Sequence, residues 1–307
     1  MHSVAACETK SPEGEQSSQG YGADRNWQAT LELGFERRET KTILKTMRFV
    51  GPVRVQRPFY PEGELCHLYL LHPPGGLVSG DTLQVLVDSP QGTQALITTP
   101  SAGKVYRADS DLLPQTQINR LAVAGDLEWL PQENIVFDGA NGILKTEIEL
   151  SGAARFLGWD LVCLGRPASQ LPFQSGSLQQ ILTVSRDGIP LLIDRFAVDG
   201  RQTKADAAML NAHWGLGRQP VMGTLLASGF AQAPDALITE LRAAFCPDNQ
   251  ALPSGGRVAF TFKSGLLIAR YIGPKTEEAQ QIFRQIWVMT RPVLFGRSAL
   301  GPRIWNT

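Results

Sequence analysis

The chain has 307 residues and a mass of 33.5 kDa, enough to bury a sizeable core in one large domain or two. Lysine plus arginine and aspartate plus glutamate both number 29, so no net field draws it to nucleic acid or to an anionic membrane surface. No apolar stretch approaches the roughly 20 residues of a bilayer-crossing helix. The four cysteines, Cys7, Cys66, Cys163 and Cys246, are far apart, with no CxxC pair and no secretory segment, which reads as a reduced cytoplasmic protein.

Residues 1–25 are rich in Ser, Gly, Gln and Glu and carry too little apolar surface to offset the entropy of ordering, so they are expected to form a disordered tail. His2 and Cys7 within it make a poor metal site without further ligands. From residue 27 onward, period-two alternation and β-branched residues dominate. Strands are expected near 65–71, 83–88, 94–99, 127–130, 145–150, 179–184, 190–198, 257–262 and 265–272. Their close spacing, broken by Pro and Gly and without a βαβ rhythm, points to packed sheets and excludes a doubly wound fold. Three segments read as helices: 204–214, 235–245 with Asp235 at a cap, and 276–290. The last has Thr276 as cap, Glu277 and Glu278 at the positive end of the dipole, one apolar face of Ala279, Ile282, Phe283, Ile286 and Trp287, and Pro292 as its stop.

The least ordinary segment is HPPGGLVSGD at 72–81, followed by TTPSAGKVYR at 98–107. Pro73 and Pro74 stiffen the backbone, while Gly75, Gly76 and Gly80 open angles closed to other residues. Neither segment serves a common catalytic motif. Gly103 and Lys104 imitate the end of a phosphate loop, but Val105 stands where the metal-binding hydroxyl should be. Gly215 and Gly217 begin a dinucleotide pattern that fails at Pro220. His72, Ser79 and Asp81 include triad residue types, yet they crowd one turn without a nucleophile elbow.

Taken with VQRPFYPE (55–62), CHLYLLHPPGG (66–76), LEWLPQE (127–133), LGRPAS (164–169) and PRIWNT (302–307), these words resemble the UreD family of urease accessory proteins from about residue 26 to the end. The resemblance implies a non-catalytic scaffold that sits on apo-urease, recruits UreF and through it the GTPase UreG, and helps deliver nickel. It also implies that helical elements dock UreF. Ser79, Gly103, Val105 and Asp194 depart from the residues common in that family, and Gly103 offers no side-chain ligand.

Only four histidines occur, His2, His67, His72 and His213, and none has HxH or HxxxH spacing, so a tight permanent metal site is not expected. His67 reads as a hydrogen-bonded structural residue, whereas His72 opens the Pro-Gly loop and is an even choice between structure and metal. Asp160 and Asp194 interrupt apolar runs in which a lone charge is costly. One reading is an internal ion pair or a solvent-facing strand position. The other, supported by the resemblance, has Asp81, Asp160 and Asp194, with His72, lining a water-filled passage for transient nickel.

Arg57 and Tyr60 in a proline-bounded strand, and Tyr106 with Arg107, have the composition of interface hot spots; a rigid strand with a stacked arginine is the alternative. Ile282 and Ile286 either pack on a sheet or dock a partner. Arg303 and Trp305 lie so near the terminus that the tryptophan must be pinned, to its own core or to a partner. The expected protein is a single domain over 26–307, mainly β, with stacked mixed β-sheets (β-helix-like) and two or three α-helices. Its expected partners are UreF, UreG and the apo-urease subunits, with no permanent cofactor. A nickel-storing metallochaperone and a β-sandwich hydrolase are the alternatives.

Overall fold

The computed structural model describes residues 27–199 and 204–306, so the tail expected over residues 1–25 lies outside the described residues. In chain order the strands are β1 (Gln28–Arg38), β2 (Lys41–Val50), β3 (Arg54–Val55), β4 (Cys66–Leu71), β5 (Thr82–Ser89), β6 (Gln94–Thr98), β7 (Gly103–Val105), β8 (Gln115–Val123), β9 (Asp126–Leu130), β10 (Asn134–Val136), β11 (Asn141–Leu150), β12 (Arg155–Arg166), β13 (Leu171–Pro172), β14 (Ser177–Arg186), β15 (Ile189–Asp199), β16 (Val221–Ser228), β17 (Arg257–Lys263) and β18 (Leu266–Gly273). The helices are α1 (Lys204–Asn211), α2 (Asp235–Phe245) and α3 (Thr276–Phe295).

From β4 to β14 the chain coils, laying successive strands alternately in two sheets. One sheet runs β15-β14-β11-β8-β5-β1-β2, and the other runs β17-β18-β16-β12-β9-β6-β4-β3, with the short β7, β10 and β13 attached beside β12. Pairs made by successive coils are parallel: β1, β5, β8, β11 and β14 in the first sheet, β4, β6, β9 and β12 in the second. Antiparallel strands then extend the edges, β2 and β15 in the first sheet and β16, β18 and β17 in the second. This is the mainly β, β-helix-like stack of mixed sheets that the strand spacing suggests. The long strands β1, β2, β8, β12 and β16 are not among those expected; β8, β12 and β16 are continuously apolar or broken by inward polar residues, whereas β1 alternates and is open to the same reading. In β12, RFLGWDLVCLGR, both faces are covered.

The two sheets enclose one apolar space, and α2 and α3 cover the outer face of the second sheet, so the molecule has three layers. Along β12 the odd positions Leu157, Trp159, Leu161 and Cys163 meet the helices, and the even positions face the other sheet. Helix α3 contributes Ala279, Ile282, Phe283, Ile286 and Trp287 to this packing.

The helix ends differ from the sequence expectation. Thr276 does not cap α3; the capping position is Lys275, and Thr276 is the first helical residue. Asp235 likewise sits inside the first turn of α2, after Pro234. Helix α1 stops at Asn211, before Trp214. Pro292 does not stop α3, which continues to Phe295 and ends at Gly296 in the left-handed conformation. The hydrogen bond that Pro292 cannot donate would have gone to Val288, which is half exposed and can be solvated instead.

Arg291, fully buried, fastens the helix layer to the sheets. Its Nη1 and Nη2 donate to the Glu62 carboxylate at 2.7 and 2.8 Å, and its Nε and Nη2 donate to Glu128 on β9 at 3.0 Å. Trp287 Nε1 donates to Glu128 at 2.6 Å, and His67 Nε2 is hydrogen-bonded to Glu62 at 2.9 Å. Burial opposes ionisation of Glu62, yet the bonds from His67 and Arg291 outweigh it and hold its carboxyl at about 2. Trp305 completes the clamp: Nε1 donates to Thr98 Oγ1 at 3.0 Å, and its ring meets Trp159 and Trp287 beneath the Arg284 guanidinium. The terminal tryptophan is thus pinned to its own core.

Removing the guanidinium takes the cation from fully buried Glu128 and from half-buried Glu62, so Arg291→Met should lower unfolding free energy by about 3–5 kcal/mol in denaturant titration. A loss below about 1 kcal/mol would contradict this. The Glu62 contribution carries its own pH signature. Its folded pKa lies below the ordinary 4.5, so that stability is complete above 4.5 and is lost as pH falls toward 2.

Candidate functional site

Register places a polar row across the otherwise apolar space between the sheets. In the second sheet Asp160 on β12 pairs with Thr224 on β16, which pairs with Arg270 on β18. In the first, Asn119 on β8 pairs with Thr146 on β11, Thr146 with Leu182 on β14, and Leu182 with Asp194 on β15. Paired residues share a face of their sheet, so each series forms one row. The apolar residues divide around it. One cluster holds Leu121, Ile148, Phe156 and Leu226 on one side of the row, and the other holds Leu144, Val162, Leu164 and Met222 on the opposite side.

The two rows touch. Asn119 Nδ2 donates to Thr146 Oγ1 at 3.2 Å, and the Thr146 hydroxyl bonds the Asp160 carboxylate of the facing sheet. Arg270 Nη2 donates to Asp194 at 2.9 Å. Asp194 therefore takes the ion-pair reading, with Arg270 as its partner and not the adjacent Arg195.

A cavity of about 100 Å³ opens beside this row, lined by His72, Asn119, Trp129 and Asp160 together with Gln117 and Asn134. Three buried polar atoms around it, His72 Nε2, Asn119 Oδ1 and Trp129 Nε1, have no hydrogen-bond partner in the protein. Buried polar atoms are normally satisfied, so three beside one cavity make it polar enough to suit water. Burial raises the Asp160 carboxyl to about 6, against the lowering effect of Thr146. Burial also lowers the His72 pKa, although nearby Asp81 opposes it.

The Pro-Gly loop lies at one side of this cavity. Its backbone pairs with the second loop: Leu77 N–H donates to Lys104 O at 2.8 Å, and Tyr106 N–H to Leu77 O at 3.0 Å. A Cβ at Gly76 would strike the Tyr106 ring and the Lys104 backbone, which explains that glycine. Asp81 closes the turn by accepting the Val78 N–H at 2.9 Å, and burial raises its carboxyl. Asp81 thus has a structural task, and among the four sequence candidates for nickel contact the cavity lining brings together His72 and Asp160.

The sequence candidates for partner binding scatter. Tyr60 is half-buried beneath Lys41, while Arg57 is exposed. Tyr106 stacks edge-on with Phe137, and Arg107 donates to Asp138 at 2.8 Å, supporting a neighbouring loop. Ile282 and Ile286 are buried against the second sheet, so α3 packs through that face and offers neither side chain to a partner. Arg303 is exposed beside the pinned Trp305.

Residues 28–306 match the family model described as UreD urease accessory protein. The chain belongs to the UreD family. A urease accessory protein UreD of Marinobacter nauticus is 45% identical over 300 residues, covering 95% of this chain and 96% of that protein. Those of Chromohalobacter salexigens, 42% identical over 95% of this chain and 92% of its own, and Citrobacter koseri, 41% identical over 92% and 93%, are similar along nearly the whole length.

The UreD words quoted above thus fall into two groups. The Pro-Gly loop borders the cavity through His72, VQRPFYPE and PRIWNT supply Glu62 and Trp305 to the clamp, and LEWLPQE serves both, with Trp129 and Gln132 at the cavity and Glu128 in the clamp. The polar row itself, Asn119, Thr146, Thr224 and Arg270, escapes a reading of single motifs. For Thr146, Thr224 and Arg270 the signal is a polar residue at an inward position flanked two residues away by apolar ones, visible once strand parity is known, while Asn119 has Leu121 on one side and Gln117 on the other.

Asp160 gives this arrangement a measurable pH signature. Its folded pKa is above the ordinary 3.8, so the cost of its buried charge grows as pH rises from 3.8 through about 6. Asp160→Asn should therefore stabilise the chain by about 1–3 kcal/mol at pH 7, with the gain fading below pH 4. Equal stability gains at pH 7 and pH 3.5 in thermal unfolding would contradict the assignment.

Proposed function

We propose that this chain is a non-catalytic scaffold of urease maturation, holding apo-urease on one surface and UreF with the GTPase UreG on another, with nickel crossing the polar layer between the sheets on its way to urease. The names of its relatives support the urease-related role. The observation that carries the passage is the cavity beside Asp160, whose lining side chains His72, Asn119 and Trp129 each hold a buried polar atom with no protein partner.

The chemistry suits transit. A divalent ion at Asp160 would meet oxygen donors, Asn119 Oδ1 and the Thr146 hydroxyl, which hold nickel less tightly than a set of thiolates and imidazoles. Contacts must be weak enough to release their cargo. Asp160 carries its charge above about pH 6, so the path is negative at neutral pH and neutral in acid. At the far end of the row the Arg270 guanidinium already occupies Asp194, and an ion leaving there would have to displace it. A nickel-storing chaperone would instead need a compact cluster, and among the described residues no group of three or more His, Cys, Asp or Glu could hold a metal ion. The buried free thiols Cys66, Cys163 and Cys246 suit a reducing cytoplasm.

Blocking a path differs from breaking an interface. Asp160→Leu and Asn119→Leu should each cut urease activation at least fivefold in a reconstituted maturation assay, while pull-down of UreF and urease subunits stays within twofold of the parent chain. Loss of pull-down in step with activation would make these residues structural, and full activation in both variants would remove the passage.

A further inference from the structure

Strands β2 and β3 are edge strands, and β2 meets the second sheet at its start, where Thr42 Oγ1 accepts the Gln94 N–H at 2.7 Å. Among the described residues strand β2 pairs only with β1. At its start Thr42 N–H donates to Glu64 O, but from Lys45 to Val50 no backbone hydrogen bond on the other side occurs among the described residues. Met47 and Phe49 pair with Leu33 and Leu31, which are core residues, so they belong to the inward face. Yet they are 47% and 43% exposed, because the second sheet does not reach beneath them. The core thus opens to solvent along a free strand edge.

Cations outnumber carboxylates around this opening. Lys45, Arg48, Arg54 and Arg57 are all exposed. Among the described residues two carboxylates answer these four cations: Glu36 pairs with Lys45, and Glu32 stands 3.9 Å from Arg48. Arg54 lies over the Phe49 ring at 4.0 Å and donates to the Gly51 and Val53 carbonyls, so its position is fixed without an acid. Arg57 makes no ion pair among the described residues. In a chain of zero net charge this is a local excess.

An unpaired strand edge accepts another strand, and alternate side chains of the added strand then select it. Clustered cations discourage pairing with a second copy, whose own β2 would bring the same charges. We propose that the β2 edge binds an extended acidic segment of a partner protein, with apolar side chains at alternate positions laid over Met47 and Phe49. Its backbone would continue the first sheet beyond β2, its carboxylates, on the face opposite the apolar side chains, would meet Arg48, and Arg54 and Arg57 would attract its negative charge.

The test uses the full chain and a fluorescent eight-residue peptide alternating glutamate with valine, compared with a lysine–valine version. The expected result is saturable binding of the glutamate peptide alone, weakening with salt, with slower hydrogen exchange at Lys45–Val50. Affinity should drop at least tenfold in the surface variant Arg48→Glu/Arg57→Glu and also in Phe49→Glu. The charge variant alters exposed residues, so an unchanged thermal midpoint establishes that it is folded. Equal binding of both peptides, no binding of the glutamate peptide up to millimolar concentration, or indifference to the charge variant would overturn the proposal. So would slow exchange at every Lys45–Val50 amide in the free chain, which would assign the edge to the chain itself or, if concentration-dependent, to a second copy.

Discussion

Strand register decides what can lie between the two sheets. Side chains alternate at period two along every strand, and parallel pairing repeats the same parity from coil to coil, so one residue type recurring at one level becomes a row through the protein. Asn119, Thr146, Asp160 and Thr224 occupy such a level, with Arg270 and Asp194 at its end. A slip of one residue in β12 alone would turn Asp160 toward the helices and put Trp159 or Leu161 in its place. The apolar clusters on either side hold the register, since every residue of β12 except Asp160 and the two ends is buried. Core packing and the polar row are therefore one arrangement. The apolar residues fix the frame, and the frame positions the polar atoms without their contributing much to its stability.

The helix layer depends on a different device. Helix α3 lies against β12, β16 and β18, and its apolar face alone could slide along such a surface. Arg291, bonded to Glu62 from the loop before β4 and to Glu128 on β9, fixes its position in two directions. Buried ion pairs give little net stability but impose geometry, because every displaced arrangement leaves a charge without its partner. The chain terminus is then held by Trp305 on Thr98. Since Glu128 and Trp129 are neighbours on β9 with opposite faces, the same strand carries the clamp on one side and the cavity wall on the other.

The mainly β character, the wide spacing of the cysteines and the apolar stripe of α3 were legible because they depend on local pattern alone. Asp160 was legible as an anomaly, a carboxylate in an apolar run, and the structure gives it a cavity. Asp194, anomalous for the same reason, found Arg270, 76 residues away in sequence, a pairing that only the antiparallel extensions of both sheets create. Asp81 looked unexplained beside its glycines, yet it accepts a hydrogen bond within its own turn. The stop expected at Pro292 failed because its lost hydrogen bond falls on the solvent side of α3. Asn119, Thr146 and Thr224 were unreadable since none is unusual alone. They matter through parity and register, which are properties of the whole stack.

The central claim is that the layer between the sheets is wet and admits a divalent ion beside Asp160. The most direct measurement is a high-resolution crystal structure of the chain grown above pH 6.5 and soaked in nickel, with anomalous diffraction recorded at the nickel edge. The account expects ordered water bound to Asn119 Oδ1, Trp129 Nε1 and His72 Nε2, with a partly occupied nickel peak within contact distance of the Asp160 carboxylate. A dry layer, with those three atoms bonded to protein groups and no anomalous density near Asp160, would contradict it.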